Sequence, residues 1–144
     1  GQEGVLNFSV PYGVSYNSGA SASCGAVTTG PTAIVLFADS DPLNDADGVC
    51  NSSDINRSSY SITRGARISS MCAAVDSGNC NLPSSVVDRL DVSYQRPNPE
   101  AVICGSNGGA IDCSLNYAEI VIEGTDGSTR KVIVYKNGQI SVQK

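Results

Sequence analysis

Most of the chain is written in short alternations of apolar and polar residues. "TAIVLFA" (32–38) is a run of branched apolar residues between turn-rich flanks, too short for a helix and suited to a buried strand. "YSITRGARI" (60–68) alternates around a glycine and reads as another strand. In "RLDVSYQ" (89–95), Leu90, Val92 and Tyr94 fall on one face. "YAEIVIEG" (117–124), "TRKVIVYK" (129–136) and "QISVQK" (139–144) follow in quick succession, separated by "GTDGS" and "KNG". Those separators predict hairpins, with Asn137-Gly138 expected in a type I′ turn because both central residues take positive φ. The tail is an antiparallel meander by this pattern.

Two regions depart from it. Residues 38–59 are polar and turn-rich and are expected to form a loop. Residues 69–88 allow a helical turn, limited by Gly78 and Pro83. A third puzzle is "SYQRPNPEAVIC" (93–104), an extended stretch interrupted at Pro97 and Pro99. A residue before proline is pushed toward extended geometry, and proline itself fixes φ and lacks a donor. The expectation is one kinked edge strand over 90–95 and 101–104; the alternative is a plain loop between two separate elements.

Composition narrows the class. The chain has 144 residues, 40% hydrophobic and 16% charged, with no repeat or linker, which fits a single domain over 1–144. A net charge of −5 argues against nucleic acid, because phosphate binding needs a surplus of Lys and Arg. Arg57, Arg64 and Arg67 are close in sequence but fall short of a basic patch. No stretch reaches the ~20 apolar residues that span a bilayer.

Six cysteines, Cys24, Cys50, Cys72, Cys80, Cys104 and Cys113, on a Ser- and Asn-rich chain point to an oxidising compartment and up to three disulfides. The sequence does not choose among the connectivities. Local pairing is the expectation: Cys72 with Cys80, Cys104 with Cys113, and Cys24 with Cys50 left over. A zinc site is disfavoured, since there is no histidine and no closely spaced cysteine pair.

"DVSYQRPNPEAVI" (91–103) followed by "YAEIVIEGTDGSTRKVIVYKNGQISVQK" (117–144) resembles the C-terminal sheet of type IV pilins and pseudopilins, of the minor-pilin or GspH-like kind. The ending Val132, Val134, Gly138, Ile140, Val142 matches that family's closing hairpin, and "NFSVPYGVSY" (7–16) resembles the stretch after its long N-terminal helix. The resemblance covers the two ends of the chain. It implies a mainly β, pilin-like headpiece with disulfide-stapled loops, α+β once the N-terminal hydrophobic helix is counted. That helix is expected upstream of this sequence and would be the sole link to a membrane. The implied role is structural: a pilin or minor pilin in an extracellular type IV pilus-like filament on a bacterial surface, not an enzyme. Its partners are other pilin subunits, and a surface or host ligand on the displayed loops 38–59 and 69–88. The alternative is a secreted β-sandwich adhesin or carbohydrate-binding module.

Candidate chemistry is sparse. "ADSDPLNDADGVC" (38–50) gathers Asp39, Asp41, Asn44, Asp45 and Asp47, hard oxygen ligands of the kind Ca²⁺ prefers. Some pseudopilins hold calcium in a loop beside the sheet, so Ca²⁺ is the one cofactor expected, although the spacing is not that of an EF-hand. No cofactor is required by the resemblance. Without histidine the usual nucleophile–base arrangements are excluded. Ser128/Lys131 and Ser141/Lys144 have S-x-x-K spacing, but on strand or turn rather than the helix that chemistry needs. Tyr94 and Tyr135 continue apolar alternations and are expected to pack; Tyr12 and Tyr16 are open candidates for an adhesive face. Asn7, Asn51 and Asn56 begin N-x-S sequons, which carry meaning only in a eukaryotic secretory context.

Overall fold

The computed structural model describes residues 11–19, 30–39, 48–50, 54–94 and 100–144, with Ile55 and Asn56 described by their backbone alone. Ten strands run in chain order: β1 (Tyr12–Asn17), β2 (Ala33–Ala38), β3 (Ile55–Ser61), β4 (Arg67–Ala74), β5 (Arg89–Tyr94), β6 (Ala101–Ser106), β7 (Asp112–Leu115), β8 (Tyr117–Glu123), β9 (Thr129–Tyr135) and β10 (Ile140–Gln143). Short 3₁₀ turns at Ser77–Asn81 and Pro83–Ser85 follow β4. The strands form two antiparallel sheets, a first of order β3-β2-β1-β5-β6-β7 and a second of order β10-β9-β8-β4. The mainly β expectation holds, and the C-terminal meander β8-β9-β10 lies in one sheet.

The second sheet crosses the first. Along β4, the Ile68 N–H donates to Pro31 O (2.6 Å) beside the start of β2. The carbonyl of Met71 accepts from Val87 N–H (3.1 Å) just before β5, and that of Ala74 from Asn116 N–H (3.0 Å) just after β7. A strand that passes the ends of three others must run across them, as in orthogonally packed sheets. The chain changes sheet at Asn116, the single residue between β7 and β8.

Alternation explains the core between them. Leu90, Val92 and Ile103 point from the first sheet, Met71, Ile120 and Val134 from the second, and all are buried in one cluster. Each such side chain contributes about 1.5–3 kcal/mol of burial. The opposite face of the first sheet holds a smaller cluster of Val35, Phe37 and Cys50. There the Phe37 ring lies over Gly13, where a Cβ would come within 2.7 Å of the ring and 2.6 Å of the Val92 carbonyl. Only glycine fits.

Two disulfides are as expected. Cys72–Cys80 (Cα–Cα 5.6 Å) ties the first 3₁₀ turn to β4, and Cys104–Cys113 (4.0 Å) cross-links β6 to β7. The Cys24–Cys50 expectation involves Cys24, which lies outside the described residues; no described cysteine is free.

Several sequence expectations are corrected. The stretch 60–68 is two strands in different sheets, broken by a turn in which Arg64 (φ 61°) and Gly65 (φ 72°) take the left-handed region. Residues 90–95 and 101–104 are not one kinked strand: β5 and β6 pair antiparallel, with Tyr94 opposite Ala101. Pro97 and Pro99 belong to residues 95–99, which lie outside the described residues. The expected loop 38–59 ends in β3, an edge strand, and region 69–88 begins inside β4.

The Asn137-Gly138 turn is not type I′, because Arg64 is the only non-glycine with positive φ among the described residues. Instead Gly138 alone is left-handed (φ 92°), its N–H donates to Tyr135 O, and Gln139 N–H donates to Asn137 Oδ1. The β8–β9 hairpin repeats this arrangement with Gly127 (φ 82°), Gly124 O and Asp126 Oδ1. Both are the three-residue hairpin form with a left-handed glycine closing the turn.

Candidate functional site

The sequence of β1, "YGVSYN", sends Tyr12, Val14 and Tyr16 to the core-facing side, since each pairs across the ladder with Tyr94, Val92 and Leu90. The same register in β2 and β3 places Leu36 and Ser58 on that side, and Ile34 with Tyr60. Leu90 and Val92 are covered by the second sheet, but further out along this face the cover stops. Tyr12 is 42% exposed, Leu36 39% and Tyr60 51%.

Together with Val14, Ser58 and Tyr94 they line an open cleft of about 350 Å³. No charged side chain lines it. The Tyr94 hydroxyl is buried without a hydrogen-bond partner among the described residues. Burial raises the Tyr94 hydroxyl pKa, and burial with the neighbouring Tyr94 pushes Tyr16 up to about 12, so both rings stay neutral. An apolar, uncharged concavity with a few hydroxyls can bind another apolar surface.

The second sheet has a matching overhang. Ile140 and Val142 on β10 stand opposite Val134 and Val132, hence on the core-facing side, yet they are 57% and 65% exposed. The end of β9 meets the first sheet where Ala101 N–H donates to Lys136 O (2.7 Å), and Ala101 is opposite Tyr94, itself opposite Tyr12. With β10 one strand further out, both uncovered strips lie at the same end of the crossed sheets. Alternation marks these residues as apolar-facing; it could not reveal that the facing sheet stops short.

The expected calcium set is only partly described. Asp41, Asn44, Asp45 and Asp47 lie outside the described residues. Asp39 is buried, and its Oδ2 accepts the Gly48 N–H at 2.5 Å, closing the loop onto the end of β2. Among the described residues, Cys72, Cys80 and Glu119 bring potential ligand atoms together, but the two sulfurs are joined to each other and are not thiolates.

A largely buried ion pair that the strand pattern alone left unremarked sits at the start of β5, against Cys50. Arg89 Nη2 reaches Asp91 Oδ2 at 2.9 Å, Arg89 Nη2 also donates to Cys50 O at 2.5 Å, and Cys50 N–H donates to Asp91 Oδ2 at 3.2 Å. Burial raises the Asp91 carboxyl above its usual range, outweighing Arg89 and the donors around it. The signal in the sequence was the spacing: Arg89, Asp91 and Ser93 share the polar face of "RLDVSYQ".

On the outer side of the second sheet, Glu119 accepts from the Tyr117 hydroxyl (2.5 Å) and pairs with Lys131 (3.1 Å). Tyr135 packs edge-on against Tyr117 at 5.5 Å, in keeping with its expected packing role. Lys131 of the first S-x-x-K match is thus held on a strand by Glu119, and Ser128 lies in the hairpin turn with its hydroxyl on Asp126. Arg67 pairs with Glu123 (3.3 Å) and Arg57 donates to Asp54 O (3.2 Å), so these arginines are engaged locally. Asn7 and Asn51 lie outside the described residues, as does the Asn56 side chain.

No family model, no curated protein and no solved structure matches this chain.

Proposed function

We propose that this chain is the head of a structural, surface-presenting subunit of an extracellular, type IV pilus-like filament. The observation that carries the reading is the uncovered apolar end of the crossed sheets, with Tyr12, where the chain enters β1, on its rim. An apolar, uncharged surface at that place suits the junction of a head with a stalk and with neighbouring subunits. The meander β8-β9-β10, formed from the residues that resemble pilins, supports the same reading. Two disulfides fit an oxidising, extracellular-type setting, and no described helix is long and apolar enough to cross a membrane. The function is assembly and display.

The test is fractionation of the source cell's sheared surface filaments, probed with antibody against residues 54–144. The chain co-purifying with filaments supports the reading, and recovery solely as free secreted protein removes it.

A second reading, a secreted β-sandwich adhesin or carbohydrate-binding module, is favoured by one specific observation: two sheets packed face to face with Tyr12, Tyr60 and Tyr94 around an open cleft. Binding of the isolated domain to a glycan array, abolished by Tyr60→Ala, would favour it over the filament.

A further inference from the structure

The edges of the two sheets are β3 and β7 in the first and β10 and β4 in the second. Charge, irregular register and cover are the usual means by which an edge strand is kept from adding a neighbour. β3 carries Arg57, and β7 carries Asp112 and shifts register against β6. The outer side of β4 is bonded to Pro31, Val87 and Asn116. β10 has none of these guards among the described residues: Ile140, Ser141, Val142 and Gln143 are uncharged and in regular register with β9.

This open edge is also complementary to itself. The Tyr135 N–H donates to Gln139 O, and pairs along an antiparallel ladder alternate between bonded and non-bonded. Ser141 therefore turns its N–H and C=O to β9, while those of Ile140 and Val142 point outward. The Ile140 and Val142 side chains share one face, each more than half exposed, with Ser141 and Gln143 on the other.

We propose that β10 is a contact between two copies of this chain, the strand of one pairing antiparallel with the strand of the other about a two-fold axis at Ser141. In that register Ile140 of each copy lies opposite Val142 of the other and exchanges both backbone bonds with it, so the outward donors and acceptors satisfy one another. Apolar side chains meet on one face and serine meets serine on the other. A shift by one residue sets outward groups against inward ones. A shift by two places Ile140 opposite Lys144, or Val142 opposite Gly138.

Charge allows the same arrangement. No charged residue lies between Lys136 and Lys144, so none faces another across the centre of the contact. The occupant is a second copy because the strand's own sequence matches its own edge in both bonding and side-chain pattern, which is what a two-fold contact requires. Four residues from each copy cover well below the roughly 1,200 Å² of stable complexes, so the dimer is weak, with dissociation in the micromolar-to-millimolar range.

The experiment uses the whole chain. Sedimentation over micromolar to millimolar concentration should show a monomer–dimer equilibrium that stops at two copies, because pairing uses up the open edge. Over the same series, exchange of the Ile140 and Val142 amides slows several-fold, while that of Ser141, bonded to β9, does not change. Ile140→Lys and Val142→Glu each weaken self-association at least tenfold. Mixed in equal amounts the two variants pair with each other, since their opposite charges then lie face to face.

A parent chain that stays monomeric at millimolar concentration overturns the proposal, even if a variant fails to fold. So does association that leaves the two amides unaffected, or that continues past the dimer. A mixture that associates no better than either variant alone also overturns it. The contact does not depend on the filament reading, and either can fail while the other stands.

Discussion

The Asp91 carboxylate receives both the Arg89 guanidinium, at 2.9 Å, and the backbone N–H of Cys50, at 3.2 Å. One buried acid therefore joins β5 to a loop 41 residues earlier. Truncating it leaves a partly buried guanidinium without its carboxylate and the buried Cys50 N–H without an acceptor. Asp91→Ala is expected to cost about 2–3 kcal/mol in urea unfolding, below the range for a wholly buried pair because Arg89 keeps its bond to Cys50 O. Asp91→Asn, which can still accept both bonds, costs less.

The same group sets a pH dependence. Its folded pKa is raised, so the folded state holds the proton more tightly than the unfolded chain does. Its contribution is fully present below the ordinary carboxylate pKa and is lost as pH rises toward the raised value. Asp112 and Asp126 work in the other direction: hydrogen bonds from Ser114 and Ser128 lower their pKa values, so their contribution is present above the ordinary pKa and lost as pH falls below it. Stability as a function of pH is expected to peak in the mildly acidic range, and in Asp91→Asn the fall on its neutral side should flatten. A second loss sets in above pH ~10, where the unfolded chain ionises Tyr16 while the folded state holds its hydroxyl neutral up to about 12. Calorimetric melting across pH reads both effects.

Reduction should destabilise the domain in two separable steps. Each described disulfide closes a short loop, with separations of 8 and 9 residues, and loop entropy assigns about 2–3 kcal/mol to each. Replacing Cys72 and Cys80 by serine, or Cys104 and Cys113, should lower the melting temperature by comparable amounts, and both together by roughly the sum.

Glycines offer a sharper geometric test. Gly13→Ala drives a methyl group into the Phe37 ring and the Val92 carbonyl and should cost about 1–3 kcal/mol, partly recovered by Phe37→Leu. Gly127→Ala and Gly138→Ala each place a Cβ in the left-handed region and should cost about 1–2 kcal/mol. Those turns lie at opposite ends of β9, so their costs should add.

These residues also mark what was legible in the sequence. Alternation and turn chemistry identified β2, β5, β8, β9 and β10, because side-chain period and glycine conformation are local properties. They did not say which sheet a strand joins: "YSITRGARI" reads as one alternation although Gly65 hands the chain from one sheet to the other. The return between Tyr94 and Ala101 was hidden for a related reason, since prolines disfavour a ladder position without specifying whether the chain bends or reverses. The same limit applies at the opening. Ile140 and Val142 look like Val132 and Val134 in the sequence, and only the crossing of the sheets separates the exposed pair from the more buried one. Asp39, expected with its neighbours as a calcium ligand, is buried and accepts the Gly48 N–H, while the other expected ligands lie outside the described residues.

The most direct test is immuno-electron microscopy of the source cell with antibody against this domain, before and after deletion of any apolar segment encoded upstream. The filament reading predicts label on surface filaments that disappears on deletion, while the head itself stays folded and disulfide-bonded. Unlabelled filaments beside a freely secreted, fully folded domain would contradict it.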